Sequence, residues 1–108
     1  MTDAASNDSL TVEIGPDHVM VVHGDIDIAG GPVLERAILT HEREHSIVID
    51  LGDVLFIDSS GLRSLLGASR RARTRGAEVV LRAVGPEVKR LLEITGTAGE
   101  FTFEDTSG

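Results

Sequence analysis

Cysteine is absent from the sequence, and the aromatic residues are limited to three phenylalanines among 108 residues. Without cysteine the chain forms no disulfide, no thiolate zinc site and no cysteine nucleophile, so nothing in it requires an oxidising compartment. Because aromatic side chains are so few, the stacking platforms that bind single-stranded nucleic acid are nearly missing. These absences favour a cytoplasmic protein and count against a disulfide scaffold.

Long apolar runs are also absent, and positive charge is scarce. No stretch approaches the ~20 apolar residues that span a bilayer, and the polar opening from Met1 to Asp8 lacks the basic and apolar layout of a signal peptide. The 18 acidic and 10 basic residues give a net charge of −8, which repels phosphate backbones and anionic lipids. We therefore expect no membrane partner and no direct nucleic-acid partner.

The length and composition fit one small domain. A hydrophobic content of 41% can fill a core without metals or disulfides, since a chain of this size buries roughly 65% of its unfolded surface. The polar ends of the chain mark the domain limits. We predict a disordered N-terminal tail over residues 1–8, a single domain over 9–104 and a C-terminal tail over 105–108, and we expect a monomer when the protein is free.

The hydrophobic pattern predicts the element order ββαβαβα with a further edge strand. The predicted elements of the first half are a hairpin of Leu10–Ile14 and His18–His23, a helix with Pro32 near its first turn that continues to about Glu44, and a strand over Ser46–Leu51. Those of the second half are a helix after Asp58 with Leu62, Leu65, Leu66 and Ser69 inward, a strand over Glu78–Ala83, a helix opened by Gly85 and Pro86, and an edge strand over Phe101–Phe103. Strands separated by helices are expected to be parallel, whereas the hairpin is antiparallel. We predict an α/β fold, a mixed four- to five-stranded sheet with helices mainly packed on one face.

The string His41-Glu42-Arg43-Glu44-His45 matches two zinc-peptidase patterns, H-E-x-x-H and H-x-x-E-H. On a helix the two histidines share a face, yet a catalytic zinc also needs a third protein ligand and a substrate cleft. Because the string falls in the last turns of a predicted surface helix, we favour a solvated, charged helix end and predict no metal site. A metalloprotein is the alternative, and zinc retained after dialysis would support it.

Other catalytic signatures are missing or incomplete. The sequence has neither G-x-G-x-x-G nor G-x-x-x-x-G-K-[ST] to hold a nucleotide phosphate, and no G-x-S-x-G pattern surrounds Ser59 as in a serine hydrolase. The acids Asp50, Asp53 and Asp58 suggest an aspartyl phosphoacceptor with magnesium, but a neighbouring lysine is lacking, since the only lysine is Lys89. We therefore predict no catalytic residue and no cofactor, and expect that the protein is not an enzyme.

The segment Asp58-Ser59-Ser60-Gly61 has the short, oxygen-bearing side chains that cap helix starts. A plain helix cap is its simplest interpretation. The segment also joins a predicted strand to a predicted helix, at the edge where open α/β sheets place their functional sites. Two hydroxyl groups at such a connection make this segment the leading candidate site.

Three segments carry a resemblance to a known family. The stretch from Ile49 to Leu62, which contains D-S-S-G, resembles the signature segment of STAS-domain anti-sigma factor antagonists, the bacterial anti-anti-sigma factors of sporulation and stress responses. Gly24-Asp25-Ile26-Asp27 resembles the G-x-[LI]-D at the end of that family's second strand, and Gly85–Gly96 resembles its third helix. The resemblance runs from about Leu10 to Phe103 with the segments in the family's order. The family typically ends in a further helix, and we expect no such helix among the few residues from Glu104 to Gly108.

The resemblance implies a STAS-like fold and a regulatory binding module. It implies that Ser59 is the phosphoacceptor, with Ser60 as the alternate, and that Asp27 and Asp58 flank it. Together with their neighbours, we predict these partner-binding residues: Asp27, Asp58, Ser59, Ser60, Gly61, Leu62 and Arg63. The implied partner is an anti-sigma factor that is also an ATP-dependent serine kinase, and a serine phosphatase would reverse its action. The unphosphorylated form would bind this partner and release a sigma factor, and phosphorylation at Ser59 would switch the binding off.

Other functions stay open at this stage. One is a small hydrolase or metalloprotein that uses Ser59 or the pair His41 and His45, and another is a STAS protein with a different role. In the leading alternative the chain is a STAS subunit that acts without phosphorylation. It would then be an accessory protein of a lipid-transport ABC system or a scaffold component of a stress-signalling assembly. The second predicted helix also carries an array of basic residues, which either forms a solvated outer face or guides an acidic partner electrostatically. These residues are Arg63, Arg70, Arg71, Arg73 and Arg75.

Overall fold

The computed structural model describes residues 2–6, 10–41 and 46–104. These described residues form six strands and three α-helices, with short 3₁₀ turns at Pro16–His18 and Ala98–Glu100. In chain order the elements are β1 (Thr2–Ser6), β2 (Leu10–Ile14), β3 (Met20–Gly24), α1 (Gly30–His41), β4 (Ile47–Asp53), α2 (Ser59–Thr74), β5 (Val79–Arg82), α3 (Pro86–Ile94) and β6 (Thr102–Glu104).

The strands form one mixed sheet in the order β1-β2-β3-β4-β5-β6. The pairs β1/β2 and β2/β3 are antiparallel, and the pairs β3/β4, β4/β5 and β5/β6 are parallel. This confirms the predicted α/β fold, the antiparallel hairpin and the parallel arrangement of the strands that helices separate. The parallel half of the sheet brings the starts of α2 and α3 to one edge.

The prediction of a disordered tail over residues 1–8 is wrong for Thr2–Ser6, because this segment pairs with β2 as an edge strand. Five strands lie within residues 10–104, as predicted, and β1 is the sixth. An edge strand is held by backbone hydrogen bonds along one side, so it does not need the apolar alternation by which a strand is recognised in sequence. The predicted C-terminal tail over 105–108 lies outside the described residues.

The helices cover one face of the sheet. In β2, β3, β4 and β5, alternate side chains are buried, and their neighbours are half-buried on the opposite face. The buried set includes Val12, Val22, Ile49 and Leu81, each with no exposed surface. Such strict alternation is typical of a sheet that packs its helices on a single side, which confirms that part of the prediction.

The helix α2 shows how the buried stripe is completed. Leu62, Leu65 and Ser69 are buried as predicted, and Leu66 is half-buried against the core. The Ser69 hydroxyl donates a hydrogen bond to the Glu100 carbonyl, which satisfies a polar group in an apolar setting. Small side chains fill the remaining inward positions of the helix, which are Ser64, Ala68 and Ala72.

The helix α1 ends at His41 in the described part of the chain. The remainder of the zinc-like string, residues 42–45, lies outside the described residues, as does the predicted extension of this helix to Glu44. In the ranges 2–6, 10–41 and 46–104, no helix is both long enough and apolar enough to cross a membrane.

Candidate functional site

Two loops lie side by side at the edge of the sheet where the parallel strands end. The residue Ile26 forms a parallel bridge with Ile57. The Ile26 N–H donates to the Phe56 carbonyl at 3.0 Å, and the Asp58 N–H donates to the Ile26 carbonyl at 3.0 Å. The bridge therefore places Asp27 next to Asp58, and it brings the starts of α1 and α2 together.

The carboxylate of Asp58 caps α2. Its Oδ1 accepts hydrogen bonds from the N–H groups of Ser60 at 2.9 Å and Gly61 at 3.1 Å. The Asp58 carbonyl accepts the N–H of Leu62 at 2.9 Å, which begins the helical hydrogen-bond pattern. A short acceptor at this position satisfies N–H groups that have no partner within the helix. Ser59 is consequently fixed as the first residue of α2.

The carboxylate of Asp27 plays the same part for α1. Its Oδ1 accepts the Gly30 N–H at 2.7 Å, and its carbonyl oxygen accepts the Gly31 N–H at 2.7 Å. Both predicted flanking acids are thus helix caps at one corner of the molecule. We call this corner, made by residues 25–31 and 55–61, the paired-cap corner.

Two of the predicted partner-binding residues, Gly61 and Leu62, are buried. An added Cβ at Gly61 would overlap Ile26 Cγ2 and would lie 2.5 Å from the Ile26 carbonyl oxygen. The absence of a side chain at Gly61 therefore lets α2 approach the Ile26 loop. In the free protein Gly61 lies against Ile26 and Leu62 belongs to the hydrophobic core, so their role as partner contacts stays a prediction.

The helices α1 and α2 touch closely behind the corner. The Ser64 hydroxyl lies 3.4 Å from the carbonyl oxygens of both Gly31 and Ser60. An added Cβ at Gly31 would meet the Ser60 backbone at 3.6 Å, an ordinary contact distance. The two helix starts therefore form a single packed unit.

The two serines differ in accessibility. Ser59 is exposed, whereas Ser60 is half-buried at the contact with α1. The neighbouring Arg63 is exposed one turn further along the helix. The structure thus distinguishes one exposed serine from one that is partly covered.

Three large apolar side chains around this corner are exposed to solvent. Ile28 is 77% exposed on the α1 side, and on the connector that precedes α2 Leu55 is 78% and Phe56 is 51% exposed. Sequence reasoning did not select these residues as functional. The available signal was the four-residue apolar run Val54–Ile57 in a short connection, whose side chains cannot all face the core.

The arginine array is spread over α2 and the residue that follows it. Arg63, Arg70 and Arg73 are exposed, while Arg71 and Arg75 are half-buried. Arg73 also forms an ion pair with Glu100, with Nη1 and Oε1 3.3 Å apart. Glu100 therefore pairs with one member of the array, and the exposed cations extend along the helix away from the paired-cap corner.

The other candidate catalytic groups do not come together. Asp50 accepts the Gly52 N–H at 2.8 Å, and the Asp53 carboxylate accepts a 2.6 Å hydrogen bond from Nδ1 of His23. His41 lines a separate cavity of about 400 Å³ with His18. Among the described residues, no group of three or more histidine, aspartate or glutamate side chains has the geometry of a metal site.

Comparison with known proteins gives consistent matches. A family model described as STAS domain matches residues 9–108. The anti-sigma-B factor antagonist of Listeria monocytogenes is 34% identical over 95 residues, which cover 85% of this chain and 83% of that protein.

Solved structures match over most of the chain as well. An anti-sigma factor antagonist from Mycobacterium paratuberculosis has a TM-score of 0.72 at 30% identity, covering 92% of this chain and 88% of the other. The anti-sigma factor antagonist SpoIIAA in its unphosphorylated form has a TM-score of 0.66 at 19% identity and covers 92% of this chain and 89% of its own. The phosphorylated form of SpoIIAA, from Bacillus, has a TM-score of 0.64 at 18% identity, with 92% of both chains covered. At such identities the SpoIIAA structures show a shared fold.

Proposed function

The chain belongs to the STAS domain family, and from that premise we propose that it is an anti-sigma factor antagonist that binds an anti-sigma factor and so releases a sigma factor. In this role it is a binding protein and the substrate of a kinase, not an enzyme. The relatives named above carry the same description and span most of the chain. The observation that carries the proposal is the paired-cap corner, where an exposed serine stands among exposed apolar side chains.

Ser59 is the proposed phosphoacceptor, because its exposure leaves the hydroxyl open to a kinase while Ser60 is partly covered by α1. The Ser60 and Gly61 N–H groups already bond to the Asp58 carboxylate, so they are not free to take up a phosphate. A phosphate on Ser59 would therefore remain at the surface. It would add a charge of about −1.5 to −2 at a helix N-terminus, where the helix dipole favours negative charge.

Release of the partner follows from this surface charge. A partner that covers Ile28, Leu55 and Phe56 removes water from the neighbouring Ser59. Burying an unpaired charge there costs several kcal/mol, and each ~1.4 kcal/mol lowers affinity tenfold. Phosphorylation is therefore expected to weaken binding by roughly a hundredfold or more without a large change in the fold.

The remaining parts of the proposal concern the surroundings of the switch. The kinase is the anti-sigma factor itself, with ATP as the phosphate donor, and a serine phosphatase restores the unphosphorylated form. The half-buried acids Asp27 and Asp58 and the exposed Arg63 border the contact, although the two acids also serve as helix caps. The protein acts in the cytoplasm as a monomer until it meets the anti-sigma factor, and it contacts neither nucleic acid nor membrane directly.

Phosphate transfer tests the proposal. The protein is incubated with the anti-sigma factor of its own genome and Mg-ATP, and intact mass with site mapping is recorded for the wild type, Ser59→Ala and Ser60→Ala. We expect one added phosphate on the wild type and on Ser60→Ala, and none on Ser59→Ala. A stable complex without phosphate would contradict the switch and favour the accessory or scaffold role, and the absence of any complex would contradict the anti-sigma role itself.

A further inference from the structure

A shallow apolar groove of about 200 Å³ lies beside the paired-cap corner. One wall is the connector before α2, with Leu55, Phe56 and Ile57, and the other wall is the first two turns of α3, with Glu87, Val88 and Leu91. Within this set Val88 and Ile57 are buried, and Glu87 is exposed. The groove thus has an apolar floor and an acidic rim.

The connector before α2 exposes two of its four apolar side chains. Val54 and Ile57 are buried at its two ends, and Leu55 and Phe56 between them are exposed. The Val54 N–H donates to the Leu51 carbonyl at 3.0 Å, and the Phe56 carbonyl accepts the Ile26 N–H. Because the backbone is tied on both sides, this surface requires little ordering when a partner binds, which favours affinity.

We propose that this groove receives an apolar side chain of the anti-sigma factor, flanked on the partner by a basic group that faces Glu87. This inference rests on the proposed function and assigns the direction in which its interface extends, from Ser59 across the connector and onto α3. Phosphate on Ser59 would then stand at the border of the buried contact. The outer face of α2, which carries the arginines, is not the centre of this interface.

Size and charge support this occupant over others. Pockets that hold drug-sized molecules measure about 300–1,000 Å³, so a groove of 200 Å³ suits one large side chain instead. A second copy of this chain would bring another net charge of −8 to an acidic rim, which opposes self-association. Apolar residues that are exposed and contiguous with a charged rim are typical of protein interfaces.

A matched pair of substitutions tests the apolar part of the inference. Leu55→Glu places a charge in the groove, and Leu39→Glu makes the same change at a residue of α1 that is 52% exposed and lies outside it. Affinity for the purified anti-sigma factor is measured by titration calorimetry, with thermal unfolding as the check on folding. We expect Leu55→Glu to lose at least thirtyfold in affinity and Leu39→Glu to stay within threefold of the wild type.

A second pair tests the charge of the rim. Glu87→Arg reverses the acidic rim, and Glu93→Arg makes the same change on the exposed side of α3 outside the groove. We expect a loss of at least fivefold for Glu87→Arg, reduced at high salt, and no loss for Glu93→Arg. If the wild type binds but Leu55→Glu and Glu87→Arg bind as tightly as their controls, the groove is not the docking site, while the proposed function stands. If the wild type binds no anti-sigma factor, both proposals are overturned.

Discussion

The starts of α2 and α3 invite comparison, because both follow a parallel strand at the same edge of the sheet. At α2 the Asp58 carboxylate accepts two N–H groups of the first turn. At α3 the cap residue is Gly85, which forms no side-chain hydrogen bond, and Pro86 begins the helix. An added Cβ at Gly61 would collide with Ile26, whereas one at Gly85 would meet no atom within 4 Å.

A position at this edge of the sheet does not by itself make a functional site. The start of α2 is fixed by a side-chain cap, a bridge to Ile26 and a contact that only glycine allows. The start of α3 relies on the φ angle of proline, whose missing N–H costs nothing at a helix start. The backbone of Ser59 at the first start is therefore held in place by its neighbours, and the second start supplies a wall of the neighbouring groove.

The strongest effect should come from a substitution that disrupts the contact of Gly61 with Ile26, which distinguishes the two helix starts. Gly61→Ala forces its new methyl group against Ile26, and such overpacking costs about 1–3 kcal/mol of unfolding free energy. In a domain of this size that loss lowers Tm by roughly 4–8 °C per kcal/mol. The control Gly85→Ala enters open space at a φ of −72°, which alanine accepts, and should leave stability nearly unchanged. If urea denaturation gives the two variants equal losses of unfolding free energy, the packing at the two helix starts does not differ as described.

The next effect concerns binding, and it tests how a charge at position 59 changes affinity for the anti-sigma factor. Ser59→Asp puts a permanent charge on an exposed position, so we expect the anti-sigma factor to bind at least tenfold more weakly while Tm stays the same. Ser59→Ala adds no charge and should bind like the wild type. Calorimetric titration compares the three proteins, and equal affinity for Ser59→Asp would argue against release by surface charge.

A smaller effect exchanges the caps between the two helices. Asp58→Ala removes the acceptor of two N–H groups and is expected to cost about 1 kcal/mol. The reverse change, Gly85→Asp, gives α3 a side-chain acceptor and should add a few tenths of a kcal/mol. Denaturant unfolding with a common m-value measures both variants. If Asp58→Ala unfolds at the wild-type midpoint, the carboxylate does not stabilise the start of α2.

The smallest effect compares the outer faces of the same two helices. Arg70→Glu reverses an exposed cation on α2, and Arg90→Glu does so on α3. If the arginine array guides an acidic partner, Arg70→Glu slows association roughly two- to fivefold at low salt and Arg90→Glu slows it less. Stopped-flow association rates at two ionic strengths would decide this, because guidance disappears as salt rises.

The fold and the start of α2 could be predicted to a large extent because their signals are local. The short oxygen-bearing side chains of Asp58 and Ser59 indicate a cap from their types alone, and the spacing of Leu62, Leu65 and Ser69 indicates the buried stripe. The capping role of Asp58 and the burial of these three residues are found in the structure.

The parts that were not predicted depend on contacts between distant segments. The need for glycine at position 61 comes from the close approach of Ile26, and the outward direction of Leu55 and Phe56 follows from the bridge between the two loops. The strand β1 lacks an apolar alternation and is defined by its pairing with β2. Tertiary pairing therefore decides these features, and a single sequence carries little record of it.

The bridge between Ile26 and Ile57 also bears on how a kinase can read its substrate. Many kinases draw an extended peptide into a cleft, but here the Asp58 N–H is bonded to Ile26 and the Asp58 carboxylate holds the turn that follows. To unwind this segment, a kinase would have to break the joint between two helices. If Ser59 is the phosphoacceptor, as proposed, its kinase must accept a folded epitope, and a synthetic peptide of the same sequence would lack the conformation that the kinase recognises.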